Sequence, residues 1–172
     1  MRILVAGIGN IFHGDDAFGV EVANLLTSRR LPAQVRLVDF GIRGFDLAYA
    51  LLDGYDVTIL LDATPRGDAP GSLYVMEIDP NSPSDLDHSS GMATHGMNPM
   101  RVLQLAQAMG GVTGRLMLVG CEPETLGSEE EGEMGLSATV AEAVKPAAIL
   151  VEELVGKLLE ECRVASYNGA AV

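Results

Sequence analysis

The chain has 172 residues, a length typical of one domain with a proper hydrophobic core. Hydrophobic residues make up 48% of it, which favours a compact α/β interior over disorder. The formal net charge of −13 argues against nucleic acid and anionic membranes as partners, because their phosphates would be repelled across the surface. Two cysteines, Cys121 and Cys162, stand in no close-spaced pattern, which predicts a reducing compartment and no disulfide framework.

No apolar run has the length needed to cross a bilayer, and the N-terminal run breaks at Gly7 without a long hydrophobic region or a cleavage site. We therefore expect a cytoplasmic protein. No internal repeat or low-complexity linker is evident, so residues 1–163 are predicted to form a single domain. The small and polar residues 164–172 are predicted to form a flexible C-terminal tail.

The first predicted strand, at residues 2–6, leads through a Gly-x-Gly turn to an acidic pair, Asp15 and Asp16, at the start of a helical pattern. Such a turn between a strand and a helix first suggests a dinucleotide site. The third glycine of that motif would fall at Phe12, however, and two carboxylates would repel a phosphate. The acids favour a cation site instead. Helix capping is the structural alternative, but it explains only one of the two acids.

Strands and helices then alternate, which is typical of an α/β fold. The predicted elements are a helix at 17–29, a strand at 35–38, a helix at 45–52, a buried strand at 57–61, a helix from Pro99, a strand at 116–119 and a helix capped by Ser137. Residues 72–78 follow the buried strand too closely for a helical crossover, so they are predicted to form an antiparallel edge strand. Pro146 should start, kink or divide the last helix.

The pattern predicts a three-layer sandwich, in which a mostly parallel five-stranded twisted sheet carries helices on both faces. Asp16 follows the first strand, Asp39 ends the second and Asp62 ends the third. Because the carboxyl ends of parallel strands share one edge, these acids are expected to converge there. Carboxylates without basic neighbours need a cation or protons to offset their repulsion, so we predict a metal site. For Asp62 alone, a turn former or helix cap is the alternative.

His95 ends a predicted surface loop at residues 80–94 and stands just before a helix. From there it could reach the edge of the sheet, where a neutral imidazole and two carboxylates would suit a borderline divalent ion such as nickel or zinc. A surface or structural role is the favoured interpretation of His13 and His88. Cys121 could act with His95 as a thiol nucleophile, but a small buried hydrophobe is the favoured interpretation.

Several segments, taken in order, carry a resemblance to a known family. They are Gly7-Ile8-Gly9-Asn10, Gly14-Asp15-Asp16-x-x-Gly19, Asp62 after a buried strand, His95 with Met-Asn-Pro-Met-Arg-Val-Leu after it, Gly120-Cys121-Glu122-Pro123-Glu124 and Gly135-Leu136-Ser137. Together they resemble the hydrogenase maturation proteases, the endopeptidases that trim the large subunit of nickel-iron hydrogenases. The resemblance covers nearly the whole chain, and the ordered combination is more specific than any single motif.

The resemblance implies that Asp16, Asp62 and His95 bind the metal and carry the peptidase chemistry. It further implies that the partner is a hydrogenase large-subunit precursor, whose C-terminal extension is cut once nickel is in its active site. Nickel would then be supplied by the substrate as a recognition element. The chain departs from the family twice: the first acid is often Glu, and the loop thought to help recognise the substrate usually carries Gly-Thr rather than Gly41-Ile42-Arg43-Gly44.

Several other functions and mechanisms remain open at this point. A non-proteolytic nickel-binding accessory protein would use the same three ligands, and a hydrolase could depend on Cys121 instead. A nucleotide-binding module would need phosphate contacts that Asp15 and Asp16 disfavour. The chain lacks His-Glu-x-x-His and Gly-x-Ser-x-Gly, so neither a zincin nor a serine hydrolase is indicated. In a peptidase, either the ion or a carboxylate-held water would promote amide hydrolysis.

Overall fold

The structure is a computed structural model, and it describes residues 1–80, 99–127 and 132–169, with side chains up to Tyr167. Its strands are β1 (Ile3–Ile8), β2 (Val35–Gly41), β3 (Val57–Ala63), β4 (Leu73–Ile78) and β5 (Arg115–Cys121). A 3-10 turn at Gly14–Ala17 precedes the first of four helices, which are α1 (Phe18–Thr27), α2 (Gly44–Leu51), α3 (Pro99–Ala108) and α4 (Ala138–Gly169). In these described ranges, no helix has the length and hydropathy required to span a bilayer.

The five strands form one sheet in the order β2-β1-β3-β5-β4. Four of them are parallel, and β4 runs antiparallel to β5 at one edge, so the predicted mixed sheet is confirmed. From β1 the chain first moves outward to β2 and then crosses to β3 on the other side of β1. The strand order therefore reverses between β1 and β3. In open α/β sheets, ligands bind outside the carboxyl ends of the strands at such a reversal.

Helices cover both faces of the sheet, as predicted. On β3, Ile59 and Leu61 face the core that α1 and α4 cover, whereas Leu60 faces the core covered by α2 and α3. Every residue of β3 is buried, as expected for a continuous apolar run in a central strand. The two cores pack against both faces of the sheet, and we call the carboxyl ends of its parallel strands the carboxyl edge.

The ends of several elements differ from the prediction. β2 continues through Asp39 to Gly41 and β3 continues through Asp62 to Ala63, because neighbouring strands still supply ladder partners there. Both acids are thus residues of the strands rather than of the loops after them.

The C-terminal helix also departs from its predicted form. α4 is one helix with Pro146 inside it, and it includes residues 164–169, which were predicted to belong to the tail. Each added residue of an existing helix gains one hydrogen bond, so a long helix extends more readily than a new one starts. Residues 170–172 lie outside the described residues, as does the predicted loop after Pro80, with His88 and His95.

Candidate active site at the carboxyl edge of the sheet

The start of α1 lies directly against the carboxyl edge. A Cβ atom at Gly19 would stand only 2.0 Å from the Leu61 carbonyl oxygen of β3, so only glycine permits this approach. Gly9, with φ of 131°, allows the first turn to pass equally close, since a Cβ there would lie 1.7 Å from the Asp16 carbonyl oxygen. These two contacts place Asp16 beside the strand that carries Asp62.

Asp62 is a buried carboxylate, with 6% of its surface exposed. The Thr64 hydroxyl donates a hydrogen bond of 3.0 Å to its Oδ2 atom. Burial raises the pKa of Asp62 well above its ordinary value, and the negative charge of Asp16 raises it further. Hydrogen bonds from the Thr64 hydroxyl and from the main chain of Ala63 oppose this shift in part. The two acids therefore lie within electrostatic reach of each other.

Asp16 is partly buried, and the Asn10 main-chain N–H donates to its Oδ2 atom at 2.7 Å. Burial raises the pKa of Asp16, although the Asn10 hydrogen bond and the nearby His13 lower it. Two neighbouring carboxylates, each with a raised pKa, form an environment that a bound cation or a shared proton would stabilise.

Asp15, the preceding residue, has a different role. Its side chain is fully buried and accepts hydrogen bonds from the N–H groups of Glu124 at 2.8 Å and Thr125 at 3.0 Å. It also accepts from the N–H (2.7 Å) and the hydroxyl (3.0 Å) of Ser137. The Ser137 hydroxyl in turn accepts from the N–H of Val140, which confirms Ser137 as the predicted cap of α4. Asp15 thus ties the loop after β5 and the start of α4 to the first turn.

Helix capping does not explain the acidic pair, because no side chain caps the 3-10 turn or α1. Asp39 lies at the carboxyl edge, as predicted, but on the far side of β1 from Asp62. Asp39 is exposed on β2, and both Asp39 and Leu61 pair with Gly7 from opposite sides. Asp39 is thus two strand spacings, roughly 10 Å, from the backbone that carries Asp62.

His95, the third predicted ligand, lies outside the described residues. Among the residues that the structure does describe, no group of three or more His, Cys, Asp or Glu side chains is placed to hold a metal ion. The metal site of Asp16, Asp62 and His95 therefore stays a prediction. The structure brings two of its three members to one place.

Residues 41–43 of the predicted substrate loop, residues 41–44, line a cleft of about 360 Å³ between the loops that follow β1 and β2. The lining of this cleft includes Asn10, the residue whose N–H holds Asp16. It also includes two exposed apolar side chains, Phe12 at 54% and Ile42 at 62%. A cleft lined by apolar side chains and by the charged residues Asp39 and Arg43 thus lies next to Asp16.

Arg43 shapes this loop from within. Its guanidinium donates to the carbonyl oxygens of Asp39 and Phe40, the latter at 3.1 Å, and lies 3.8 Å from the Asp46 carboxylate. These bonds hold the end of β2 and the start of α2 together.

Three residues around Asp62 make contacts that no sequence pattern predicted. Thr64 donates to Asp62, and the Tyr74 hydroxyl donates to the Thr64 carbonyl oxygen at 2.8 Å. Glu122 is buried and accepts from the main-chain N–H groups of residues 66 and 67. Glu122 stands in a segment that carried the family resemblance, which was a usable signal. Tyr74 offered none, because it reaches the site from a different strand.

Cys121 is fully buried in the core beneath α1 and α4. Burial, together with the charges of Asp15 and Glu122, raises the pKa of its thiol to about 12. A thiol nucleophile needs a lowered pKa and exposure, so this position opposes that role and confirms the interpretation as a small buried hydrophobe. Both Cys121 and Cys162 are free thiols.

A family model described as hydrogenase maturation protease matches residues 20–154. The chain belongs to the hydrogenase maturation protease family. Among its relatives is the hydrogenase expression/formation protein HupD of Rhodobacter capsulatus, which is 35% identical over 150 residues, or 84% of this chain and 70% of the relative. The hydrogenase 2 maturation protease of Escherichia coli K12 is 32% identical over 93% of this chain and 92% of its own length.

Solved structures of the hydrogenase maturation protease family share the fold. The E. coli hydrogenase maturating endopeptidase HybD superposes with a TM-score of 0.75 and 31% identity, over 91% of this chain and 93% of that protein. Two further relatives, both from Azotobacter, are longer, and the aligned part covers 59% of each. The predicted family, fold class and peptidase class are confirmed by these similarities. The family match starts after Asp16 but includes Asp62 and His95.

Proposed function

We propose that this hydrogenase maturation protease removes the C-terminal extension of a hydrogenase large-subunit precursor and recognises the nickel that the precursor carries. The observation that supports this most directly is the meeting of Asp16 and Asp62 at the carboxyl edge, where the strand order reverses. The E. coli relative is named for the maturation of a hydrogenase, and the family is one of proteases. The precursor is accordingly the proposed partner.

In this proposal Asp16, Asp62 and His95 hold the nickel ion of the substrate. Carboxylate oxygens and an imidazole nitrogen form a donor set that a borderline divalent ion accepts. One oxygen of Asp16 accepts the Asn10 N–H and one oxygen of Asp62 accepts the Thr64 hydroxyl, which orients both carboxylates. A bound cation would also offset the repulsion that raises the pKa of Asp62.

The proposed chemistry is hydrolysis of an amide bond near this ion. A divalent ion can polarise a scissile carbonyl or activate a water molecule, and a neighbouring carboxylate can accept the proton of that water. Asp16 and Asp62 would hold the ion next to the scissile amide bond. A carboxylate oxygen that does not bind the ion would accept the proton of the attacking water molecule.

The cleft beside Asp16 is the proposed site for the peptide on one side of the scissile bond. The exposed Phe12 and Ile42 side chains in its lining are placed to pack against apolar side chains of the precursor. Residues 41–44 then act as the substrate loop. Because this loop differs from the Gly-Thr that is usual in the family, we infer that it adapts this enzyme to its own precursor.

We also propose that processing takes place in the cytoplasm. Two free cysteines suit a reducing compartment, and a net charge of −13 disfavours nucleic acid and anionic membranes as partners.

The test is incubation of the purified protein with nickel-loaded and nickel-free precursor, followed by intact-mass spectrometry. We expect the wild type to remove a C-terminal peptide from the nickel-loaded form only. Asp62→Asn, Asp16→Asn and His95→Ala should each lose at least about a hundredfold in rate, since each removes a group that contacts the ion. Asp68→Asn is the matched control, because this acid is exposed in the loop after β3, and it should cleave like the wild type.

Two outcomes would contradict the proposal. Full cleavage by both Asp62→Asn and His95→Ala would remove these residues from the site. Binding of the nickel-loaded precursor without any loss of mass would instead indicate a non-proteolytic nickel-binding accessory protein.

A further inference from the structure

At the carboxyl edge, the neighbouring strands β3, β5 and β4 each contribute one residue to a row of paired positions. Gly120 of β5 pairs with Asp62 of β3 on one side and with Tyr74 of β4 on the other. A Cβ at Gly120 would lie 2.2 Å from Cζ and 2.4 Å from the hydroxyl oxygen of Tyr74. The tyrosine ring therefore occupies the space that any other residue at position 120 would fill. Only with glycine there can a side chain of the edge strand reach across β5.

Tyr74 uses this gap to contact the segment that follows Asp62. Its hydroxyl donates a hydrogen bond of 2.8 Å to the Thr64 carbonyl oxygen. The Thr64 hydroxyl donates one of 3.0 Å to Oδ2 of Asp62. A continuous chain of two hydrogen bonds thus joins the edge strand to the buried acid.

The other side of Tyr74 is held as well. The Arg66 guanidinium lies 4.7 Å from the centre of the Tyr74 ring, in a cation–π contact. Arg66 is itself held, because its main-chain N–H donates to Oε2 of Glu122 at 2.7 Å, and the Gly67 N–H donates to Oε1 at 3.2 Å. Glu122 is 5% exposed, so the anchor of this loop is a buried carboxylate with both oxygens occupied.

We propose that Thr64 and Tyr74 are positioning residues for Asp62, and that Gly120 serves the site by leaving room for the Tyr74 ring. The Thr64 hydroxyl, together with the main-chain hydrogen bond from Ala63, orients the Asp62 carboxylate towards the ion. Tyr74 holds the main chain of Thr64 so that its hydroxyl points at Asp62. The inference rests on the proposed function in one respect, namely that Asp62 is a group of the active site.

Two conservative variants test this pair of hydrogen bonds and keep the packing of the Tyr74 and Thr64 side chains. Tyr74→Phe keeps the ring over Gly120 and loses only the hydroxyl, and Thr64→Val keeps the shape of the side chain and loses its donor. Thr64→Ser restores the donor and is the rescue variant. Tyr55→Phe is the matched control, because the Tyr55 hydroxyl accepts from Arg36 at the opposite end of β3 and does not contact Asp62.

The first measurement is structural and independent of activity. Crystal structures of the wild type and the variants should show the Asp62 carboxylate rotated away from its wild-type orientation in Thr64→Val, and the segment at residue 64 displaced in Tyr74→Phe. An unchanged Asp62 orientation in Thr64→Val would overturn the inference, whatever the protein cleaves.

The second measurement is steady-state cleavage of the nickel-loaded precursor. We expect Thr64→Val to lower kcat about tenfold to a hundredfold with little change in KM, as for other groups that orient a metal ligand. Tyr74→Phe should lower kcat about threefold to tenfold, the value of one hydrogen bond. Thr64→Ser should recover most of kcat, and Tyr55→Phe should match the wild type.

The two measurements separate this inference from the proposed function. Wild-type kcat in both Thr64→Val and Tyr74→Phe, with a wild type that cleaves, would overturn the positioning role and leave the protease intact. A wild type that does not cleave, combined with a rotated Asp62 in Thr64→Val, would overturn the proposed function and support the positioning role.

Discussion

Asp15 and Asp16 are adjacent in the chain and lie in opposite chemical environments. The Asp15 carboxylate is buried and accepts four hydrogen bonds, from three residues far away in sequence. Among the residues that the structure describes, only Asn10 donates to the Asp16 carboxylate, and the charge of Asp16 acts on Asp62. A carboxylate whose oxygens accept several protein hydrogen bonds stabilises the fold, whereas one with few such hydrogen bonds is available to a ligand.

The largest effect on the free energy of unfolding should come from replacing Asp15, whose carboxylate accepts four hydrogen bonds from the protein. Asp15→Ala leaves the N–H groups of Glu124, Thr125 and Ser137 without their acceptor, and we expect the free energy of unfolding to fall by about 3–4 kcal/mol. Asp16→Ala, the neighbouring control, should lose less than about 1 kcal/mol, since it removes the one hydrogen bond described for this carboxylate together with the charge of a partly buried group whose burial raises its pKa. Urea unfolding followed by circular dichroism measures both. Equal losses in the two variants would break the distinction.

Replacing Asp62 is expected to increase the free energy of unfolding rather than lower it. Its pKa is raised in the folded protein, so in the wild type the stability falls as the pH rises from the unfolded pKa through the folded one. Asp62→Asn cannot ionise, so the metal-free variant should be more stable than the wild type at neutral pH, by about 1 kcal/mol or more. The advantage should vanish in acid, where the wild-type group is protonated in both states. Thermal unfolding from pH 3 to pH 8 measures this, and a variant less stable at pH 7 would contradict it.

The smallest effect is expected at Glu77, a carboxylate that is saturated but exposed. Arg115 donates to both of its oxygens, at 3.1 and 3.0 Å, and lowers its pKa. A lowered pKa contributes stability above the unfolded pKa, and this contribution is lost as the pH falls through the folded one. Because water and salt screen the pair, Glu77→Gln should cost less than about 1 kcal/mol, and 1 M NaCl should reduce the difference. A salt-independent loss above 2 kcal/mol would show that exposure does not matter here.

Much of the fold followed from local patterns in the chain. The continuous apolar run of β3 predicted a central strand buried on both faces, and the short connection to β4 predicted its antiparallel direction. Both inferences depend only on residues close in sequence. The positions of Asp16 and Asp62 at one edge followed from the parallel sheet, since the carboxyl ends of its strands coincide.

The ends of the elements and the membership of the site were harder to predict. Asp39 was expected beside the other acids, but the strand order puts β1 between β2 and β3. Strand order depends on which strand pairs with which across the whole sheet, and three acids at three strand ends look alike in sequence. Only the strand order of the folded sheet shows that Asp39 lies apart from Asp62.

The sequence by itself determined the alternating architecture, the family and the two acids of the carboxyl edge, because hydrophobic periodicity and glycine-acid motifs are local signals. The tertiary structure alone decided which acid of the pair anchors the fold and which faces the site, and it alone brought Tyr74 across Gly120 towards Asp62. The physical reason is that these roles depend on hydrogen-bond partners supplied by other strands and loops. Asp15 and Ser137 are 122 positions apart in the chain, yet the Ser137 main-chain nitrogen lies 2.7 Å from Oδ1 of Asp15 in the fold.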